Sequence, residues 1–189
     1  MRKIILHAHM SLDGIISEQN HWMKITDEML NDGSALYETL DTVMFGSKTY
    51  PGMATYWTNA LKNPISYAEL EFARQLNSKK KLVLSRSSQP LVWENSSLLQ
   101  YTSADDLRVK LDELKNESGE NISVACGVGL WHFFIENSLF DDLLLYIHPA
   151  LAGHGERLFT EFHWHTSLSL VREKTYEDGT KELYYEKTS

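Results

Sequence analysis

Asn121-Ile122-Ser123-Val124-Ala125-Cys126-Gly127-Val128-Gly129-Leu130, running on to Pro149, is the stretch whose reading decides the fold. Ile122 to Cys126 reads as a buried strand and Gly127-Val128-Gly129 as a glycine turn. Leu130 to Asn137 follows as an amphipathic helix and Leu143 to His148 as a second apolar strand. Strands this apolar cannot face water, so they belong inside a sheet with covered faces. A strand, a glycine turn and a helix in succession aim backbone N–H groups and the positive helix end outward, an arrangement that favours a phosphate.

The same logic recurs upstream. Thr42 to Gly46 is apolar enough to be a buried strand, and Gly46-Ser47-Lys48-Thr49-Tyr50 is a second glycine turn leading into a helix. Leu82-Val83-Leu84 is a third short strand, ending at Ser85-Arg86-Ser87-Ser88. Arg86 is thereby set at a strand's carboxyl end, where α/β proteins place ligands, although a salt-bridge role fits it equally. The three turns offer N–H groups, hydroxyls, Lys48 and Arg86 to an extended polyphosphate of dinucleotide shape. Neither glycine turn matches Gly-x-Gly-x-x-Gly or the Walker loop, so the repetition carries the weight. The run Lys79-Lys80-Lys81 reads as a solvated strand entry.

Elsewhere, Lys3 to Met10 predicts the first strand, closed by Ser11-Leu12-Asp13-Gly14, whose Asp-Gly is a turn signal. Ile15-Ile16-Ser17 then crosses the mouth of the sheet. Thr26, followed by Asp27 and Glu28, supplies a cap and first-turn acids for a helix running on through Leu40. Pro51 to Leu61 reads as aromatic and irregular. Tyr67 to Leu76 and Ala104 to Leu114 read as helices, and Leu98 to Tyr101 as a strand. Leu151 to Phe159 is a glycine-punctuated loop. His163 to Lys174 and Lys181 to Lys187 alternate like strands around the hairpin signal Glu177-Asp178-Gly179-Thr180. The expected architecture is α/β, a mixed, mainly parallel sheet with a C-terminal antiparallel hairpin.

The 189 residues predict a single domain, 1–189, with no linker composition inside it. Eighteen basic against 26 acidic residues give a formal net charge of −8, which argues against nucleic acid and anionic membrane as partners. One cysteine, Cys126, excludes an internal disulfide and suits a reducing compartment. No run approaches the length of a membrane span, so the expected location is cytoplasmic. His163 and His165 share a strand face without a carboxylate or cysteine partner, which favours surface imidazoles over a metal site. His7 and His9 share a face of the first strand, lining a pocket mouth or sitting as satisfied core histidines. No Gly-x-Ser-x-Gly elbow points to a hydrolase, and Cys126 reads as a small packing residue.

Taken in order, Ser11-Leu12-Asp13-Gly14, Phe45 to Tyr50, Leu84 to Ser87, Cys126 to Leu130, Leu139 to Leu143, His148-Pro149 and Gly153 to Phe159 resemble the dihydrofolate-reductase-like superfamily. The nearest branch holds the C-terminal reductase domain of the bifunctional riboflavin-biosynthesis deaminase-reductase, here standing alone. The resemblance implies a three-layer dihydrofolate-reductase-like fold, an NADPH cofactor and a homodimer. It implies that Gly46, Ser47, Lys48 and Thr49 meet cofactor phosphates, Ser85 and Arg86 the adenosine 2′-phosphate, and Cys126, Gly127, Val128, Gly129 and Leu130 the pyrophosphate. Ile16 and Ser17 would lie near the nicotinamide, with Trp22, Tyr50 and Trp57 as walls. The family's arginine after the strand glycine is Ser47 here, and its paired glycine before the cofactor helix is Cys126-Gly127.

These residues imply an NADPH-dependent reductase of a small pterin-like or pyrimidine-like heterocycle. Asp27, Asp32 or Asp13 would orient or protonate the acceptor. The alternatives are the 5-amino-6-(5-phosphoribosylamino)uracil reductase of riboflavin biosynthesis and a nucleotide-binding protein without turnover.

Overall fold

A computed structural model describes residues 1–188. In chain order the elements are β1 (Ile4–Ser11), α1 (Asp27–Glu38), β2 (Leu40–Gly46), α2 (Tyr50–Ala60), α3 (Tyr67–Ser78), β3 (Lys80–Ser85) and β4 (Ser96–Gln100). There follow α4 (Ala104–Asn116), β5 (Asn121–Cys126), α5 (Val128–Glu136), β6 (Asp142–His148), β7 (Leu168–Thr175) and β8 (Lys181–Lys187). Hydrogen bonding orders the strands β4-β3-β2-β5-β1-β6-β8-β7. The β1–β6, β2–β3 and β3–β4 pairs are parallel, and β6–β8 and β7–β8 are antiparallel. This is the expected mixed sheet with a C-terminal hairpin. Contacts divide the chain into two units, Met1–Arg2 with Ile25–Ser123, and Lys3–Lys24 with Val124–Ser189.

In the first unit, helices start where the sequence supplies acceptors for first-turn N–H groups. The hydroxyls of Thr26, Ser66 and Ser103 accept from the N–H of Met29, Glu69 and Asp106 at 3.3, 3.1 and 3.1 Å. Helices α1 and α3 pack through Tyr37 and Phe72, whose rings meet edge-on at 4.8 Å. Gly33 permits this approach, since a Cβ there would lie 3.0 Å from the Phe72 ring. Arg2, 5% exposed, ties the strand and helix ends together. Its guanidinium donates to the Asp41 carboxylate, to Thr42 Oγ1 at 2.9 Å and to the Glu120 carbonyl at 2.6 Å.

Several expectations fail in detail. Helix α1 ends at Glu38, and Leu40 opens β2 rather than continuing the helix. Pro51 to Leu61 is not irregular but forms α2, because Pro51 occupies the first turn, where its fixed φ suits a helix and no N–H is missed. Lys81 is not solvated: it is fully buried, its ammonium donating to the Asn77 carbonyl and lying 4.8 Å from the centre of the Trp93 ring. Burial pulls its pKa down to about 8, with Glu94 opposing. His163, Trp164 and His165 lie outside β7, whose first residue is Leu168. The indole N–H of Trp164 instead donates to the Ile135 carbonyl at 2.8 Å, a terminal α5 acceptor that drew this segment out of the hairpin.

In the second unit, the loop after β1 is stitched to the loop after β6. Asp13 accepts from the N–H groups of Ala152 and Gly153 at 3.0 and 2.8 Å. The Ile16 N–H donates to the Glu156 carbonyl at 2.8 Å, and the Glu156 N–H donates to Ser17 Oγ at 2.9 Å. Gly155 is required here: at φ +123° it occupies backbone closed to other residues, and a Cβ would meet Ser17 Oγ and Ile15.

Two outcomes are expected in urea denaturation. Asp41→Ala, which strips the buried Arg2 of its counter-charge, costs about 3 kcal/mol and more than Arg2→Met, which leaves a carboxylate that water can reach. Gly155→Ala costs about 1–3 kcal/mol through forced φ and contact.

Candidate functional site

The turns after β2 and β3, with Asp27 and Asp32, fall in the first unit; Asp13, Ile16, Ser17 and the turn before α5 fall in the second. In the first, β2 and β3 run parallel with Gly46 beside Leu84, so the turns that follow them are neighbours. The Ser47 N–H donates to the Leu84 carbonyl at 3.2 Å, and Thr49 closes the turn with its hydroxyl on the Gly46 carbonyl at 3.1 Å. Lys48 is exposed at the tip. Ser85 is buried, its hydroxyl accepting from the Ser87 N–H at 3.2 Å, whereas Arg86 is exposed with its guanidinium carbon 6.0 Å from the centre of the Tyr101 ring. The first unit therefore sets two exposed cations on adjacent strand ends, a placement suited to an anion.

Asp27 and Asp32 lie in the same unit. Asp27 is the first residue of α1, exposed, where the helix dipole favours a carboxylate. Asp32 is half-buried beyond the first turn, so capping does not account for it. Tyr50 is no pocket wall: it is fully buried, donating to Ser96 Oγ at 2.9 Å and accepting from the Trp93 N–H at 2.8 Å.

In the second unit, Gly127 (φ +117°) caps α5, and no side chain accepts its first-turn N–H groups at that cap among the described residues. A Cβ on Gly129 would meet nothing within 4 Å, so the approach to this helix end is open. Uncapped amides at an open, positive helix end fit a phosphate. Cys126 is half-buried at the end of β5, Val128 is half-buried and Leu130 turns inward. Asp13 accepts from the Ser11 hydroxyl at 2.6 Å as well as from its two backbone donors. Those bonds, the hydroxyl's foremost, hold its pKa down at about 2, so at neutral pH it is an ionised loop fastener. Ile16 is buried, and Ser17 is engaged by Glu156 and, through its carbonyl, by the Trp22 indole N–H at 2.9 Å.

The same unit contains a layer of side chains that periodicity only partly disclosed. Registers β1–β6 and β6–β8 set His9 beside Tyr146 and Tyr146 beside Glu182. On this face His9 Nδ1 lies 2.9 Å from His148 Nε2, and the His9 and Tyr146 rings stack at 4.5 Å. The Tyr176 hydroxyl donates to Glu182 Oε2 at 2.8 Å, and Arg172 pairs with Glu182 Oε1 at 2.8 Å. His7 lies 5.2 Å from both His9 and Tyr146, and neither of its ring nitrogens has a hydrogen-bond partner among the described residues. Burial pulls the His7 pKa down to about 4 against the opposing pull of Glu182. Burial, then the neighbouring imidazoles, depresses His9; burial also depresses His148, with Asp178 opposing. Burial and Glu182 raise both tyrosines. Among the described residues no group of three or more His, Cys, Asp or Glu side chains is placed to hold a metal ion. Sequence reasoning paired His7 with His9 but missed His148, Tyr146 and Glu182. The usable signal was the period-two run Tyr146, His148 in β6.

No helix among the described residues is long and apolar enough to cross a membrane. Comparison with known proteins bears on the fold and the family. YyaP of Bacillus subtilis (strain 168), an uncharacterized protein, is 28% identical over 187 residues, covering 97% of this chain and 94% of its own. The structure of Acinetobacter baumannii RibD superposes with a TM-score of 0.68 at 17% identity, over 100% of this chain and 59% of that one. Dihydrofolate reductase from Enterococcus faecalis, complexed with NADP(H), superposes with a TM-score of 0.63 at 12% identity, over 99% and 97%. These likenesses establish a dihydrofolate-reductase-like fold. Residues 2–182 match the model of the RibD C-terminal domain, and the chain belongs to that family.

Proposed function

We propose that this protein is an NADPH-dependent reductase that delivers a hydride to a small pterin-like or pyrimidine-like heterocycle. The observation that carries the reading is the family match over nearly the whole chain, residues 2–182. Within the first unit, Ser85 and Arg86 take the adenosine 2′-phosphate, and the turn Gly46, Ser47, Lys48 and Thr49 takes a further phosphate oxygen. Within the second, Cys126, Gly127, Val128, Gly129 and Leu130 take the pyrophosphate on the α5 amides, and Ile16 and Ser17 border the nicotinamide. The exposed cations and the open helix end support this fit.

The cofactor, when bound, supplies the hydride. The chain holds the acceptor, excludes water from it and orients it. Of the three carboxylates we assign Asp32, half-buried beyond the first turn of α1, to hold the acceptor. The family match also favours a narrower reading, in which the acceptor is the phosphoribosylated aminopyrimidine of riboflavin biosynthesis. The fold of Enterococcus faecalis dihydrofolate reductase, a protein complexed with NADP(H), supports the cofactor class rather than that substrate. We further propose a cytoplasmic protein that acts as a homodimer.

Titration with NADPH, read by quenching of tryptophan fluorescence, tests the cofactor assignment. Arg86→Ala is expected to weaken NADPH by the worth of a charge-assisted contact, about 1.5–3 kcal/mol or roughly tenfold to a hundredfold, and to leave NADH unchanged. Equal affinities in wild type and variant would remove Arg86 from the site. Asp32→Asn is expected to keep NADPH affinity and to lower NADPH oxidation, followed by absorbance with candidate pyrimidine and pterin acceptors, by at least tenfold.

A further inference from the structure

The histidine layer touches the segment from Ser17 to Trp22, whose middle, Gln19–His21, is a single 3-10 turn. That segment carries Glu18 at φ +50°, a left-handed conformation that a non-glycine residue adopts at a cost. Its far end rests on the histidines: the Trp22 ring meets the His148 ring edge-on at 5.7 Å, and the Gln19 side chain donates to the His9 carbonyl at 3.3 Å. Its near end, Ser17, is the residue assigned to the nicotinamide border, and the Trp22 indole reaches back to the Ser17 carbonyl at 2.9 Å.

We propose that the His9–His148 hydrogen bond is a proton-operated latch on the Ser17–Trp22 segment, and that opening the latch weakens cofactor binding. The second half of this inference rests on the NADPH reading above; the first does not. A contact of 2.9 Å between two ring nitrogens requires one to donate and the other to accept, so at least one ring must be neutral. With both rings protonated, no acceptor remains and two like charges face each other inside the fold. Thr180 Oγ1, 3.4 Å from His148 Nδ1, completes the neutral arrangement.

The groups facing the pair decide the pH window. From β1 comes His7, itself held neutral by burial, and from β6 comes Tyr146, held as a phenol. The hairpin contributes Asp178 in its turn, Tyr176 and Glu182, the last already paired with Arg172. Only Asp178 favours a charged His148, and burial outweighs it. Both imidazoles therefore sit below the ordinary histidine value of 6.5 in the closed state. The open state binds more protons, so the closed latch is fully favoured above about pH 6.5 and is lost as pH falls below that value.

Hydrogen–deuterium exchange of peptides covering residues 15–24, corrected for intrinsic exchange, tests the latch in wild type, His148→Phe and His9→Asn between pH 4.5 and 7.5. Wild type is expected to lose at least tenfold protection in this segment on acidification, while β3 keeps its own. Either folded variant is expected to lose markedly less protection over the same range, the remainder coming from the histidine that is still buried and from the His154–Glu18 pair on the segment itself. Wild-type protection that does not change with pH overturns the latch, as does an unaltered pH response in a folded variant. NADP⁺, stable in acid, is then titrated by tryptophan quenching over the same range. Its affinity should fall with pH more steeply in wild type than in His148→Phe, since the ligand's own titration is common to both. Equal slopes overturn the link to the cofactor. Absence of NADP⁺ binding at every pH, with the segment still answering acid, removes the cofactor reading and leaves the latch standing.

Discussion

The parallel pairing of β1 with β6 is the constraint on which the second unit depends. Ile5 lies beside Asp142 and Ser11 beside His148, and every pair between them follows from that register. Because side chains alternate along a strand, one residue of slip would carry Leu6 and Ala8, both fully buried, to the face now held by His7 and His9. The histidines would arrive where α5 packs. Burial of Leu6, Ala8, Leu143 and Leu145 thus selects the register, and the register in turn brings His9 to His148. The polar layer is a consequence of apolar packing on the opposite face.

That layer is costly to bury unless its groups satisfy one another, and nearly all of them do. Glu182 has Arg172 and Tyr176, and His148 has His9 and Thr180. His7 is the exception, with both ring nitrogens buried and no protein partner among the described residues. Neutral imidazoles and raised phenols keep the layer free of all net charge but the Arg172–Glu182 pair, which is how so many titratable side chains share one face.

The phosphate-suited elements obey a different economy. Lys48, Arg86 and the first turn of α5 lie where solvent reaches them. Such groups cost little without a ligand because water serves them, and they gain strength when an anion displaces that water. The chain's net charge of −8 sets the exposed Lys48 and Arg86 against a predominantly acidic composition.

Sequence alone determined the strand-turn-helix junctions at Gly46 and Gly127, the cap at Thr26, and the hairpin at Asp178-Gly179. Each is a local event, set by residues a few positions apart. It also determined the family, because the order of these pieces is specific even where each piece is common. Tertiary structure decided the rest. Pro51 to Leu61 looked irregular because its aromatic residues follow no clean helical stripe, yet Tyr50, Ala54 and Ala60 are the positions that turn inward. Lys81 looked solvated because lysine usually is, until Trp93 and the end of α3 covered it. His148 read only as the last residue of an apolar strand, and Asp13 as one carboxylate among three candidates. What they bond to lies 139 positions away in each case, His9 for the one and Ala152 for the other. Contacts of that separation exist only after the chain has closed on itself, and no local pattern records them.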